Sequence, residues 1–316
     1  MPSLKSHLVA FVLKQTRKKA FASPENLRRR VAKSRLTENH RPPSAIARRV
    51  SITTRTEQGF PVYDVAPPVP ASDQRILYLH GGAFCFEMTP FHWTLVAEMA
   101  ERLGRRVTVP IYPLAPEHDF HAMFAMVDAV YRRMLDETPA RDIVFMGDSA
   151  GGNMALVLTM MAAEAGVPTP ARHVLISPGL DMTMANPDVP AAARLDPWLD
   201  IPGGLEAVRM YAAGIDFADW RISPFYGDLT TLPKTLVFTG TRDLLYPDTL
   251  RFADRAKEAG VDIEIVVGQG MIHVWPLIDM PEARVARDRM VAFLSEPFSP
   301  AQSEAPTASS RPFVTD

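Results

Sequence analysis

The stretch VFMGDSAGGNMAL, residues 144–156, changes character at a single residue. Residues of buried-strand type lead into Gly147, Asp148 and Ser149, and an alanine-rich helical pattern begins at once. Gly147-Asp148-Ser149-Ala150-Gly151 fits G-x-S-x-G between a strand and a helix, a turn that pushes the serine hydroxyl out of a sheet. Glycine at the two flanking positions leaves room for strand and helix to close in. The helix that starts there directs the Ala150 amide, with the helix dipole behind it, toward negative charge developing beside the hydroxyl.

Working outward, strands and helices alternate. RRVSITTR and FPVYDVAP read as an antiparallel pair joined around Gly59, and RILYLH follows as a buried strand. A helix at 92–103, the strand RVTVPIY, a helix at 120–136 and the strand DIVFMG come next. Beyond the Ser149 helix lie the strand HVLIS, an irregular stretch at 181–232, the strand TLVFTG, the helix TLRFADRAKEAG, the strand DIEIVV and a helix at 282–295. Repeated strand–helix units predict an α/β fold: a mostly parallel central sheet flanked by helices. Ligands bind such sheets at the carboxyl ends of strands. The segments found there are HGGAF, GDSAGG, GTRDLLYPD and GQGMIHVW.

A serine hydroxyl needs a positioned base. Ser149, Asp243 and His273 follow one another at strand ends in the order Ser, Asp, His that accompanies this turn. Of the eight histidines, His273 alone sits in a loop after the last strand. His80 reads as a prop for the glycine loop; His7, His40, His92, His118, His121 and His173 read as surface or packing residues. Asp243 is the expected partner of His273, and Asp248 the expected cap of the next helix. In His80-Gly81-Gly82-Ala83, small residues let backbone N–H groups approach a substrate carbonyl, where such donors stabilise an oxyanion.

At 316 residues with 47% hydrophobic and 22% charged content, the chain can bury a large core as one domain, or one domain with an insertion. No apolar run is long enough to span a bilayer and HLVAFVL lacks a cleavage site, which predicts a soluble, cytoplasmic protein. The single cysteine, Cys85, permits no internal disulfide or cysteine metal cluster and reads as a small packed hydrophobe. Glu117, His118 and Asp119 in APEHDF lack the spacing of a known metal site, so neither metal nor organic cofactor is expected. Net charge is −2, yet residues 1–55 hold fourteen Lys or Arg against Glu25 and Glu38. No nucleic-acid motif accompanies that charge. LKSHLVAFVLKQTRKKAF has helical apolar spacing, which leaves a solvated basic helix or peripheral contact with anionic membrane open.

LYLHGGAF, YPLAPEHDF, GDSAGGN, ISPGLDMT, SPFYGDL, GTRDLLYPD and GMIHVWPL resemble, in order and spacing, the hormone-sensitive-lipase family of α/β-hydrolases, over about residues 45–295. The resemblance implies a carboxylesterase acting on short- to medium-chain acyl esters. Ser149 would be the nucleophile, His273 the base and then the acid, Asp243 the orienting acid, and the amides of Gly81, Gly82 and Ala150 the oxyanion hole. Ala83 stands where the family usually has a third glycine. The resemblance also implies a helical cap from residues 1–45 and 182–224 over a core of 46–181 and 225–297, and within the second cap segment LDPWLDIPGGLEAVRMYAAG reads as a cap helix. Phe84, Phe86, Trp198, Tyr211 and Trp275 are candidates to line the acyl pocket, although such aromatics can equally be core. The tail at 298–316 is Pro, Ser and Ala rich and is expected to be disordered. An amidase or deacetylase would use the same parts, a small-molecule receptor would lack the late histidine, and a homodimer is compatible with the family pattern.

Overall fold

The computed structural model describes residues 2–297, so the expected tail lies outside the described residues. Eight strands form one sheet in the order β1-β2-β4-β3-β5-β6-β7-β8. These are β1 (Ser51–Glu57), β2 (Phe60–Ala66), β3 (Arg75–Leu79), β4 (Arg106–Pro110), β5 (Ile143–Asp148), β6 (Arg172–Ile176), β7 (Lys234–Arg242) and β8 (Ile263–Ile272). β1 pairs antiparallel with β2, and β2 with β4; every other pairing is parallel. β3, β5 and β6 are buried along their whole length, as continuous apolar strands in a sheet covered on both faces should be.

Helices α1 (Leu4–Phe21), α2 (Pro24–Thr37) and α3 (Ser44–Ala47) precede the sheet. α4 (Pro90–Leu103), α5 (Phe120–Glu137), α6 (Ala150–Glu164), α9 (Tyr246–Glu258) and α10 (Pro281–Ser295) connect or follow its strands. The stretch at 181–232, read as irregular apart from one cap helix, holds two helices, α7 (Val189–Leu195) and α8 (Ile201–Tyr211). Pro197 separates them, and the Asp200 side chain accepts from Ile201 N to cap α8, so in LDPWLDIPGGLEAVRMYAAG, residues 195–214, the helix α8 begins only at Ile201 and ends at Tyr211. α8 rests against the end of α1: a Cβ on Gly203 would lie 2.5 Å from Phe21 Cα, a contact only glycine allows. Arg28 of α2 pairs with Glu206 of α8 at 2.5 Å, and Lys18 of α1 reaches Asp200 at 3.1 Å and Ala193 O at 2.7 Å. The N-terminal helices and the segment after β6 thus form one group of helices at the carboxyl end of the sheet.

Candidate active site

Ser149 occupies the corner between β5 and α6 with φ 52° and ψ −117°, a left-handed conformation costly for any residue with a Cβ. Packing holds it there. Ser149 N donates to Ile176 O at 2.8 Å, a Cβ on Gly147 would meet Gly151 O at 2.5 Å, and one on Gly151 would meet Leu79 O at 1.9 Å. Strand, elbow and helix are therefore too close for any larger residue. His273 stands directly after β8. Its Nε2 lies 3.0 Å from Ser149 Oγ, and its Nδ1 lies 3.0 and 3.1 Å from the two oxygens of Asp243, which follows β7. The structure thus brings the three residues together from three strand ends. Burial alone would push His273 down, but the Asp243 carboxylate, with Asp196 and Asp148 beyond it, raises the imidazole above its ordinary value of 6.5.

Asp248 does not cap α9. That helix begins at Tyr246 with Pro247 in its first turn, and Asp248 Oδ1 accepts instead from Asn186 at 2.6 Å and Arg251 at 3.1 Å. It takes no part in the histidine's surroundings.

The glycine loop departs from expectation at one amide. Gly81 N donates to Asp148 Oδ1 at 2.9 Å, so it is not free to bind an oxyanion; a Cβ there would lie 2.2 Å from Asp148 Oδ2. Gly82, with φ 133°, and Ala83, with φ 52°, form the tight turn that follows. The amides of Gly82, Ala83 and Ala150 have no acceptor among the described residues; Gly82 and Ala83 line the same cavity as Ser149, and Ala150 follows Ser149 as the first residue of α6.

Two residues of this loop system escaped the sequence reading. Asp148 Oδ1 also accepts from Tyr78 OH at 2.6 Å, and its Oδ2 lies 3.2 Å from His92 Nε2. His92 Nδ1 accepts from Thr89 N at 2.9 Å in a capping box on α4, so the proton sits on Nε2 and points at Asp148. Burial alone would push Asp148 up; His92, the Tyr78 hydroxyl and the Gly81 amide together hold it below its ordinary value. Thr89 three residues before His92 was a usable cue, but a histidine in the usual Glu or Gln position hid it.

Asp196 was missed altogether. It is buried between α7 and α8, and its Oδ1 accepts from Trp198 N at 2.6 Å and Leu199 N at 3.0 Å. Its Oδ2 accepts from Leu244 N, next to Asp243, at 2.8 Å. Burial, then the charge of Asp243, pushes it up to about 6. Trp198, tied in this way, sets its ring edge-on to His273 at 5.8 Å.

These groups face a cavity of about 720 Å³ lined by Ser149, His273, Gly82, Phe86 and Trp198, with Leu8, Val12 and Leu13 of α1 on the far wall. That size suits a small ligand. Phe86 and Trp198 line it as expected, whereas Phe84, Tyr211 and Trp275 do not. Phe84 and Tyr211 stack at 3.8 Å inside the core, and Trp275 is buried with its Nε1 donating to Thr239 O. Cys85 is fully buried and its thiol is pushed up to about 12 by that burial, so it is a packing residue. Asp119 caps α5 and Glu117 pairs with Arg35 at 2.9 Å, which accounts for APEHDF as a structural turn.

The sheet order, the elbow between β5 and α6 and the Ser–His–Asp geometry place the chain in the class of α/β-hydrolases. The chain belongs to the alpha/beta hydrolase fold family, whose model matches residues 76–277. It is similar to an esterase of Acinetobacter venetianus, 31% identical over 220 residues, covering 68% of this chain and 73% of the relative. An acetyl-hydrolase of Streptomyces hygroscopicus is 30% identical over 230 residues, covering 72% of this chain and 77% of the relative. Among solved structures, an esterase of the bacterial hormone-sensitive lipase family is similar with a TM-score of 0.80 and 28% identity, covering 93% of this chain and 98% of that one.

Proposed function

We propose that the chain is a carboxylesterase that hydrolyses short- to medium-chain acyl esters with Ser149, His273 and Asp243. The observation that carries this reading is His273 Nε2 at 3.0 Å from Ser149 Oγ, with Nδ1 held by Asp243, at the wall of an apolar cavity. The esterase and acetyl-hydrolase names of the relatives agree with it.

Ser149 Oγ attacks the ester carbonyl as its proton passes to His273 Nε2. Asp243 keeps the Nδ1 proton facing away from the serine and favours the imidazolium that forms. The oxyanion is received by the amides of Gly82, Ala83 and Ala150, rigid donors on a tight turn and a helix start. His273 returns the proton to the alcohol oxygen as the C–O bond breaks, leaving an acyl-serine. Water then attacks, its proton goes to His273, and Ser149 leaves with that proton as the acid is released. Residues 1–45 and 182–224 serve as the cap, a role supported by the α1 side chains that wall the cavity.

The test is hydrolysis of p-nitrophenyl esters from acetate to laurate by wild type and Ser149→Ala, with matched anilides beside them. Wild type is expected to hydrolyse the shorter esters and the variant to lose about 10⁶-fold in kcat. Folded wild type that hydrolyses none of them, or that prefers the anilides, overturns the reading.

A further inference from the structure

α1 presents two unlike faces. Ser6, Ala10 and Phe21 are buried against the protein, while Leu4 is 90% exposed, Phe11 63%, and Leu8 and Val12 at least half exposed. Spacing of four, three and one along a helix gathers Leu4, Leu8, Phe11 and Val12 into one stripe. The stripe runs into the cavity mouth: Leu8 and Val12 are both exposed and cavity-lining, as is Phe91 of α4, 52% exposed. Half of the ten large hydrophobics exposed among the described residues therefore lie on α1 or at this mouth. Clustering of that kind marks an interaction surface, where scattered single residues would not.

The charge carried by α1 itself is of one sign. α1 contains Lys5, Lys14, Arg17, Lys18 and Lys19 and no acidic residue. Lys5 is paired with Asp279 and Lys18 with Asp200. Lys14 and Lys19 are exposed and pair with no carboxylate among the described residues. Lys14 projects from one flank of the stripe and Lys19 from its end. An apolar stripe edged by unpaired lysines matches the boundary between headgroups and acyl chains of an anionic bilayer. No helix among the described residues is long and apolar enough to cross a membrane, so α1 would lie on the surface.

We infer that α1 docks on an anionic lipid surface with the cavity mouth facing the bilayer, so that ester substrates enter from the lipid. Only the last clause rests on the hydrolase reading above.

The experiment is flotation of the full chain with vesicles of phosphatidylcholine, alone or with about 30% phosphatidylserine. The variants are Leu4→Ser/Phe11→Ser and Lys14→Glu/Lys19→Glu, none of which lines the cavity. Wild type should float with the anionic vesicles and much less with the neutral ones. The lysine pair should bind at least about 25-fold more weakly, from about fivefold per basic residue, and the apolar pair should lose binding to both. Both variants should hydrolyse soluble p-nitrophenyl butyrate as wild type does. Absence of vesicle binding overturns docking. So does a wild-type dimer that Leu4→Ser/Phe11→Ser splits, without vesicle binding, since the stripe would then be an interface between copies. Binding without turnover leaves docking standing and counts against the hydrolase reading alone.

Discussion

Asp196 touches no substrate, yet it is bonded to both sides of the site. It holds Leu244, next to the acid, and Trp198, packed on the histidine, through one carboxylate. Asp196→Asn would turn an amide N–H toward Leu244 N, donor against donor, at a cost of about 1–3 kcal/mol. It would also remove a negative charge that raises His273. Because His273 must be neutral to accept the serine proton, wild-type kcat/KM should fall on the acid side with a midpoint above 6.5. In Asp196→Asn that midpoint should move to lower pH, with kcat down about tenfold and KM little changed. A midpoint that stays put in a pH–rate profile would reduce Asp196 to a structural residue. The elbow is stricter still. In Gly151→Ala the new methyl would sit 1.9 Å from Leu79 O, so urea denaturation should reveal a loss of at least about 3 kcal/mol or no folded protein.

Among the elements, those built on a single local pattern were legible in the sequence. α1 follows LKSHLVAFVLKQTRKKAF, and every core strand lies within about two residues of its apolar run, except that β8 extends further. The elbow was legible because glycine, serine and glycine at fixed spacing serve one tight turn. The partners of Asp148 and Asp196 were not, since Gly81 is 67 residues from Asp148 and Leu244 is 48 from Asp196. No periodicity links such segments; only the sheet order does. The wall of the cavity was misjudged for a related reason, as Phe84 and Tyr211 are equally apolar whether they face ligand or each other. Lys18 joins α1 to the α7–α8 segment through Ala193 O and Asp200, so it fixes the far wall of the cavity. Lys18→Ala should raise KM for hexanoate and octanoate esters several-fold more than for acetate, which reaches that wall least. An equal rise across the series would mean that α1 does not bound the acyl pocket.

Across the whole molecule, histidines buried without charge contribute to the loss of stability in acid. Burial, and then neighbouring His92, lowers His80 to about 4, and burial lowers His173 to about 3. In the unfolded chain both titrate near 6.5, so below that pH the unfolded state binds protons that the folded state refuses. The stabilising contribution is complete above pH 6.5 and is lost as pH falls toward 4 for His80 and 3 for His173, on the order of 3 kcal/mol for the first and 5 kcal/mol for the second. Asp196, raised to about 6, acts in the opposite sense: the folded state takes up its proton first as pH falls, which offsets part of the loss. Asp248, raised by its burial, acts in the same sense as Asp196, whereas Asp148 and Glu87, held below their ordinary values, add to the loss in acid. His173 is the better probe because it lies away from the cavity, bonded to Thr159 Oγ1 at 2.8 Å and stacked beside Phe145. His173→Gln keeps a donor toward Thr159 and cannot titrate. Unfolding free energies from urea titrations between pH 4.5 and 6 should therefore decline less steeply in the variant, by close to one proton or about 1.4 kcal/mol per pH unit. Equal slopes in the two proteins would mean that His173 is already protonated in the folded state, and that acid sensitivity must come from the carboxylates.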